Sequence, residues 1–364
     1  MVRWKDRFLR LCAECLVDSE SLACHALSSP EWDYLLDVAS RHSIAPLLYH
    51  NLANSDQRVP PEVMEHLKKQ YYLNTIRNEV LYRELGRILE AQRDAEVEVV
   101  VLKGAALAET VYPDRGLRPF SDIDLLIRKE NLNRTEDTLT KLGYTLDAYA
   151  TPRGFSKKFD YHLRYINGMS IVELHWDLSL RASIYKYTNI RPDALWRNAR
   201  KSKVAGIDVL IPSPEDLIIH SCIHSAKHRY SKLIWLYDIR QIAERHPIDW
   251  KHLIRSAKSD RTARSVFYGL LFTDELLGPI LPKYELNELR PPIPEIRLFT
   301  FFIRCDSFSI FNMAKDMVLR FLLIDRQIDR LRFLVTYPVV SLVYILLGRK
   351  KRTLRRIREG TVGL

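Results

Sequence analysis

The sequence predicts an α+β fold in which a small mixed sheet is flanked by helical regions. A β-branched run at 97–102 precedes a glycine and a helix-like stretch. The motif SDID at 121–124 then leads into the apolar run LLI. Apolar residues at helical spacing before and after this part predict the flanking helices. We expect four regions, which are an N-terminal helical region (1–93), an α/β core (94–180), a C-terminal helical lobe (181–332) and an apolar segment with a polybasic tail (333–364).

The composition is that of a globular protein, with 47% hydrophobic and 28% charged residues. Five cysteines are too few, and odd in number, for a disulfide framework, so we expect a cytoplasmic protein. Cys12 and Cys15 have the spacing of a zinc knuckle, but no second pair follows at zinc-ribbon spacing, and we expect no metal there. The N-terminus has no apolar stretch followed by a cleavage site, so no signal peptide is predicted.

Residues 1–93 show helical spacing that is broken at Pro46 and at 60–61. From Pro61 to about Arg93, apolar residues recur on one face and predict a single long amphipathic helix. That face includes Leu73, Ile76 and Val80 among others. We expect the helix to pack against the sheet, the alternative being a regulatory or partner-binding surface.

Asp122 and Asp124 are the first candidates for a functional site. Side chains alternate across a strand, so both carboxylates project from the same face. Two carboxylates so close repel each other unless a positive charge lies between them. Magnesium or manganese suits such oxygen ligands. The alternative is an exposed strand end with two solvated aspartates.

Lys103 and Gly104 lie between the β-branched run and the following helix. The backbone N–H groups at a helix N-terminus, together with the helix dipole, can receive phosphate. Lys103 would add a positive charge there. Helix packing explains a glycine at this position equally well.

Residues 97–127 resemble the nucleotidyltransferase superfamily with a polymerase-beta-like fold. They resemble more narrowly a bacterial family with the pattern LKGaaLa…Yp…glRp.sDiDLLv. The resemblance extends to 41–49, to 172–176 and to the helices near 220–240, and so covers most of the chain up to about residue 245. It implies a magnesium-dependent transfer of NMP from a nucleoside triphosphate to a hydroxyl of a small molecule, sugar, peptide or protein.

The third carboxylate of the superfamily comes from a neighbouring strand. Alternation on both sides of Asn167-Gly168 predicts a hairpin there, and Glu173 lies on its second strand. Glu173 is therefore the best-placed candidate, with Asp177 as the second choice. A glutamate on a strand face can also be exposed and inert.

In the reaction that the resemblance implies, an acceptor hydroxyl attacks the α-phosphate and pyrophosphate leaves. Asp122 and Asp124 would hold the metal of the nucleotide, and Glu173 would help to hold a second metal beside the acceptor. Arg118, in the loop before the motif, would receive the triphosphate together with the Lys103-Gly104 turn. Arg115 competes with Arg118 for this role.

The chain departs from the superfamily at one point, because many members have Gly-Ser where it has Lys103-Gly104. The serine hydroxyl that usually contacts phosphate is absent. Ser121 is a candidate to supply a hydroxyl to the nucleotide, or it orients the aspartates. The departure favours an alternative to the transferase, and the resemblance leaves a second alternative open, since related folds are used by toxins. One is a weakly active or inactive module that binds a nucleotide or partner, and the other is a toxin-like enzyme that modifies RNA or protein.

His220, His224 and His228 recur every four residues on a predicted helix. We expect them to line the nucleotide cleft, with His224 and His228 supporting the site or the acceptor. A polar stripe between two helices is the alternative, and no local acid or cysteine completes a zinc site. The resemblance places Asp238 near the site, where it would position a base or the acceptor. A buried aspartate paired with Arg240 or a histidine is the other interpretation.

The tail combines an uncharged run at 333–347 with the sequence RKKRTLRRIR at 349–358. Fifteen helical residues span about 22 Å, which is short of a bilayer core of about 30 Å. We therefore predict peripheral contact of 333–358 with an anionic membrane, at the inner face of the cell membrane. Contact with nucleic acid and a solvated tail are the alternatives.

Overall fold

A computed structural model describes residues 7–18, 27–147, 162–168, 170–178, 184–304 and 312–337. The helices are α1 (Arg7–Val17), α2 (Ser29–Arg41), α3 (Ala45–Ala53), α4 (Pro61–Asp94), α5 (Lys103–Thr110), α6 (Leu132–Lys141), α7 (Pro192–Asn198), α8 (Pro214–Lys227), α9 (Leu233–Arg245), α10 (Trp250–Ser259), α11 (Ala263–Leu277), α12 (Lys283–Asn287), α13 (Ile293–Arg304) and α14 (Asn312–Leu323). Residues 327–337 are also helical.

The strands form a seven-stranded mixed sheet with the order β3-β4-β5-β2-β1-β7-β6. They are β1 (Val99–Val101), β2 (Ile123–Ile127), β3 (Thr145–Leu146), β4 (His162–Asn167), β5 (Ser170–His175), β6 (Arg200–Val204) and β7 (Ile207–Ile211). The pairs β2–β5 and β1–β7 are parallel, and the other pairs are antiparallel. The predicted α+β class, with a small mixed sheet between helical regions, is confirmed.

The two faces of the sheet have different neighbours. Ile123, Leu125 and Ile127 of β2 are fully buried and pack in one cluster with side chains of α4, α5 and α6. Leu126, on the opposite face, packs with residues of α7. Because side chains alternate along a strand, Asp124 shares the face of Leu126. The Asp124 carboxylate thus lies on the face of the sheet opposite α4, α5 and α6.

Helix α4 is the long helix that the sequence predicts, but part of its apolar face is not buried. Leu73, Ile76 and Val80 are 53%, 63% and 45% exposed. On another side of the helix, Asn74 and Asn78 donate hydrogen bonds to carbonyl groups of the loop after α5. The polar side chains of Asn74 and Asn78 face this loop, so the apolar side chains of Leu73, Ile76 and Val80 face solvent. The expectation that this part of the stripe packs against the sheet was wrong.

The hairpin β6–β7 corrects the expectation of a purely helical lobe after residue 180. Its turn residues Ala205 and Gly206 have φ angles of 54° and 78°, the left-handed conformation that suits a two-residue hairpin turn. Strand β7 pairs with β1 through Val100 and Leu210, and so extends the sheet. Val204 and Ile211 are buried in the sheet core. Strand β6 has the alternating burial of a half-buried strand, but its charged residues kept it from being recognised as a strand in the sequence.

Helices from both ends of the chain share one hydrophobic core. Leu9 of α1 and Leu48 of α3 pack in the same cluster as Ile239 of α9 and Phe299 of α13. Phe333, the first residue of the predicted membrane segment, is 2% exposed within this core. Leu334 and Val335, which follow it, are 44% and 75% exposed. The remainder of the segment from residue 338, together with the polybasic tail, lies outside the described residues. Within the described part of the chain, no helix has the length and apolar character needed to cross a membrane.

Candidate active site

Three potential metal ligands meet on two neighbouring parallel strands. Asp124 of β2 lies directly opposite Glu173 of β5, and His175 follows on the same face of β5. His175 Nε2 lies 2.9 Å from Asp124 Oδ1 and 3.5 Å from Glu173 Oε2. One ligand atom from each residue lies within 4.8 Å of the others. Two carboxylates and an imidazole form a donor set for a divalent cation.

His175 was not among the sequence candidates. Its position two residues after Glu173 on a strand was the available signal, because that spacing puts both side chains on one face. The ring of His175 stacks on that of His162 of β4, with centroids 5.2 Å apart. Burial, and then the neighbouring His175, lower the pKa of His162 to about 4. His162 is thus a neutral neighbour of the carboxylate cluster.

Lys103 supplies the positive charge that the carboxylates need. Its Nζ contacts Asp124 Oδ1 and lies 3.6 Å from Glu173 Oε2. Burial disfavours the charged lysine, but Asp124 and Glu173 outweigh burial and raise its pKa. Burial likewise disfavours charged Glu173, but the hydrogen bond to His175 and the charge of Lys103 outweigh it and lower the pKa of Glu173. Lys103 therefore offsets part of the negative charge of the acidic cluster, whereas the sequence predicted that it contacts phosphate.

Asp122 precedes β2 and opens onto the same cavity as Asp124. It is half-buried, and Ser121 Oγ donates a hydrogen bond to its Oδ1 at 3.2 Å. Burial, followed by repulsion from Asp124 and Glu173, raises the pKa of Asp122. Asp177 is half-buried after β5 and, like Glu173, is not among the residues that line the cavity. Unlike Glu173, it does not belong to the group of ligand atoms around Asp124.

Gly104 allows the loop before Asp122 to approach helix α5. A Cβ at this position would lie 2.5 Å from Phe120 Cβ and 2.9 Å from Arg118 Nη1. A serine here, as in many members of the superfamily, would collide with this loop. The substitution of Lys-Gly for Gly-Ser thus matches the close packing of the loop that carries Arg118.

Arg118 is held by a buried carboxylate from the helical lobe. Its Nη2 donates to Asp238 Oδ2 at 2.7 Å, and its Nε donates to Asp238 Oδ1 at 3.2 Å. Tyr112 Oη donates to the same Oδ1 at 2.7 Å. The sequence offered Arg240 or a histidine as the partner of Asp238. Asp238 pairs with Arg118 instead, and Arg240 binds Glu244.

Arg118 nevertheless lines the cavity, whereas its competitor does not. Arg115 binds Glu109 at 2.8 Å and lies over the ring of Tyr82. Of the two arginines of the loop, Arg118 is therefore the one beside the acidic cluster.

Three rings from α8, from the residue after it and from α9 form part of the wall of the cavity. The ring of His224 lies 4.7 Å from that of His228 and 4.8 Å from that of Trp235. His220 lines the same cavity, whose volume is about 210 Å³. Burial is the main cause that lowers the pKa of His220 to about 3 and that of His228 to about 4. These histidines are uncharged at neutral pH, so the wall is aromatic and neutral.

We expect this wall to make the protein sensitive to mild acid. The unfolded chain takes up a proton at His220 below about pH 6.5, while the native state does not do so until about pH 3. The corresponding stability is fully present above pH 6.5 and is lost as the pH falls, by about 2 kcal/mol at pH 5. Asp260 and Asp274, whose pKa values burial raises to about 6, oppose this change.

The measurement is chemical unfolding of the wild type and of His220→Gln at pH 7 and pH 5. The variant should lose about 2 kcal/mol less than the wild type over this interval. His66→Gln, which removes an exposed histidine of α4, is the matched control. An equal loss in the wild type and His220→Gln would contradict the assignment.

Comparison with known proteins gives a family match. A family model described as an uncharacterised nucleotidyltransferase matches residues 28–278. The solution structure of antibiotic-resistance factor ANT(2'')-Ia is 14% identical with a TM-score of 0.37, and the match covers 51% of this chain and 95% of that one. The crystal structure of an antigenic nucleotidyltransferase-like protein from Paracoccidioides brasiliensis is 17% identical with a TM-score of 0.31, and covers 54% and 87%. No curated protein matches the chain.

Proposed function

Because the chain belongs to this nucleotidyltransferase family, we propose that it transfers NMP from a nucleoside triphosphate to an acceptor hydroxyl with the help of magnesium or manganese. The observation that carries the proposal is the acidic cluster. Asp122 immediately precedes β2, Asp124 lies on β2 opposite Glu173 of β5, and the two aspartates open onto one cavity. Nucleotidyl transfer needs such a convergence of carboxylates, since it places negative phosphates beside an attacking oxygen.

The donor set fits a divalent cation. Asp124 and Glu173, with His175 beside them, would hold one ion, and Asp122 would complete the coordination from the edge of the cavity. Carboxylate oxygens favour magnesium or manganese, and the imidazole is a better ligand for manganese than for magnesium. When bound, the metal lowers the pKa of the attacking hydroxyl and stabilises negative charge on the phosphates.

The residues of the chain prepare the site before substrates arrive. Lys103 holds the carboxylates of Asp124 and Glu173 close together against their mutual repulsion. Arg118 is fixed at the cavity wall by Asp238, so its orientation is set in advance. The neutral His224 and His228 offer a ligand hydrogen-bonding groups and ring faces for stacking. They do not take up protons from the carboxyl groups of the site.

The contact between Lys103 and Asp124 also favours a second candidate function. The ammonium lies beside the carboxylate that a metal ion would bind. A module that binds nucleotides without turnover would be stable in this arrangement. The two functions differ in whether pyrophosphate is released.

A thermal-shift panel tests the first function. ATP, GTP, CTP and UTP are each added with and without magnesium to the wild type, to Asp122→Asn and to Asp208→Asn, which changes an exposed aspartate of β7. A ligand at about 100 times its Kd stabilises the native state by about 2.7 kcal/mol. We expect a magnesium-dependent shift with at least one nucleotide that is kept in Asp208→Asn and lost in Asp122→Asn.

Release of pyrophosphate from the stabilising nucleotide, followed with added candidate acceptors, separates the two functions. A shift with pyrophosphate release supports the transferase. A magnesium-independent shift that persists in Asp122→Asn and gives no pyrophosphate supports the binding module. The absence of any nucleotide shift in the wild type contradicts both.

A further inference from the structure

The cavity is lined by three cationic side chains, which are Lys103, Arg118 and Lys232. Two of them are neutralised by a carboxylate of the same cavity, since Lys103 contacts Asp124 and Arg118 pairs with Asp238. Lys232 makes no ion pair with any residue that the structure describes. Its Nζ donates instead to Ser43 Oγ at 3.0 Å. Its Nζ also lies 5.9 Å from the ring centroid of Trp235. Of the three cations, Lys232 is thus the one without a carboxylate partner among the described residues, and its charge is available to an incoming anion.

Lys232 and Ser43 are held together by main-chain contacts, although 189 residues separate them. The N–H of Leu233 donates to His42 Nδ1 at 3.1 Å, and the N–H of Ile234 donates to the His42 carbonyl at 3.4 Å. Ser43 has a φ of 59°, a conformation that non-glycine residues rarely adopt. The loop between α2 and α3 is therefore fixed on the first turn of α9, with both polar groups at the cavity.

The electrostatic surroundings of Lys232 favour an anion. Burial, and then the positive charge of Arg118, lower the pKa of Lys232. A phosphate placed beside Lys232 would relieve this repulsion and be attracted to both cations. Arg118 uses Nε and Nη2 on Asp238 and one Nη1–H on the Pro119 carbonyl, so part of its guanidinium remains able to donate.

We propose that Lys232 and Ser43, with the remaining donors of Arg118, bind the β- and γ-phosphates of the donor nucleotide. The assignment rests on the proposed nucleotidyltransferase function and replaces Lys103 as the main triphosphate cation. Lys103 is engaged with the acidic cluster, whereas Lys232 is not. The same chemistry would suit a phosphate group on the acceptor, and the experiment separates these two sources.

Calorimetric titration measures binding of inorganic pyrophosphate and of the four nucleoside triphosphates, with magnesium present, to the full-length protein. Lys232→Met should weaken both pyrophosphate and the preferred triphosphate by about 10- to 100-fold, the range for a lost hydrogen bond to a charged group. Lys232→Arg should restore most of the affinity, because it keeps the charge. Lys251→Met, an exposed lysine of α10, is the matched control for loss of one positive charge.

The outcomes discriminate between the inferences. Equal affinity of the wild type and Lys232→Met for pyrophosphate overturns the anion site, even if nucleotides bind. Weaker pyrophosphate binding with unchanged triphosphate binding overturns the donor assignment and points to a phosphate of the acceptor. A wild type that binds neither ligand overturns the site together with the proposed function. A wild type that binds triphosphates but releases no pyrophosphate leaves the site in place and removes only the transferase.

Discussion

Asp124→Asn is expected to abolish nucleotidyl transfer and to destabilise the protein, whereas Asp122→Asn should abolish transfer without destabilising it. Asp124 is 2% exposed and contacts both Lys103 and His175. Removing its charge leaves the half-buried ammonium with Glu173 as its remaining carboxylate partner, at 3.6 Å. Asp122 is repelled by its acidic neighbours, so the loss of its charge relieves the site.

The expected magnitudes follow from the two kinds of interaction. Loss of a metal-binding carboxylate removes several kcal/mol of transition-state stabilisation, equivalent to a decrease of about 10³-fold in kcat/KM. Breaking a buried ion pair from one side costs about 3 kcal/mol of unfolding free energy. For Asp122→Asn the free energy of unfolding should be unchanged or higher.

Chemical unfolding of both variants in the absence of metal, alongside a pyrophosphate-release assay, measures the two effects separately. Equal destabilisation by the two substitutions would show that Asp122 and Asp124 have equivalent surroundings, against the geometry described above. Retention of transfer in either variant would exclude that carboxylate from the reaction.

Asp238→Leu should destabilise the protein strongly, and a second substitution, Arg118→Met, should recover most of the loss. Both side chains are buried, at 2% and 8% exposure, and their oppositely charged groups are 2.7 Å apart. Removing one partner of a buried pair leaves an uncompensated charge and costs about 3–5 kcal/mol. Replacing both by apolar residues of similar volume is often close to neutral. The part of the loss that remains is the unpaired hydroxyl of Tyr112, which donates to Asp238 Oδ1 in the wild type. The double variant should therefore fold and still lack the arginine that we propose to bind the triphosphate.

Unfolding free energies of the wild type, the two single variants and the double variant form a thermodynamic cycle. A coupling energy near zero would contradict the ion pair. Nucleotide affinity of the double variant gives a second readout, because a stable protein that binds triphosphate as tightly as the wild type would show that Arg118 has no part in binding.

The sequence indicated the acidic residues Asp122, Asp124 and Glu173, but not that Asp238 pairs with Arg118. Asp122, Asp124 and Glu173 lie in two short strand segments, and period-two alternation suffices to place them on a face. Asp238 and Arg118 meet across 120 residues. Such a pair depends on how the helices pack onto the sheet, which no local pattern specifies.

Two other features had a weak local signal. His175 follows Glu173 at the same-face spacing of a strand, and the dipeptide Ala205-Gly206 separates two alternating runs. No local sequence pattern indicated Lys232, because its proposed role in phosphate binding depends on which neighbouring cations are already paired with carboxylates. The bounds of the long helix α4 were predicted from the sequence. The exposure of Ile76 was not, because it depends on which side of the helix meets the loop after α5.

The pairing of β7 with β1 bears on how the protein is synthesised and how it can be shortened. Asp122, Asp124 and Glu173 all precede residue 180, so a fragment ending there would contain the acidic motif. In that fragment β1 would lack its parallel neighbour and present a row of unpaired backbone groups, an edge that promotes aggregation. The chain has to emerge as far as residue 211 before this edge is covered, and long-range parallel pairing is slow to form. The β6–β7 hairpin therefore covers the edge of β1 and leaves β6 as the edge strand, and a soluble fragment that contains the acidic motif should extend at least to residue 211.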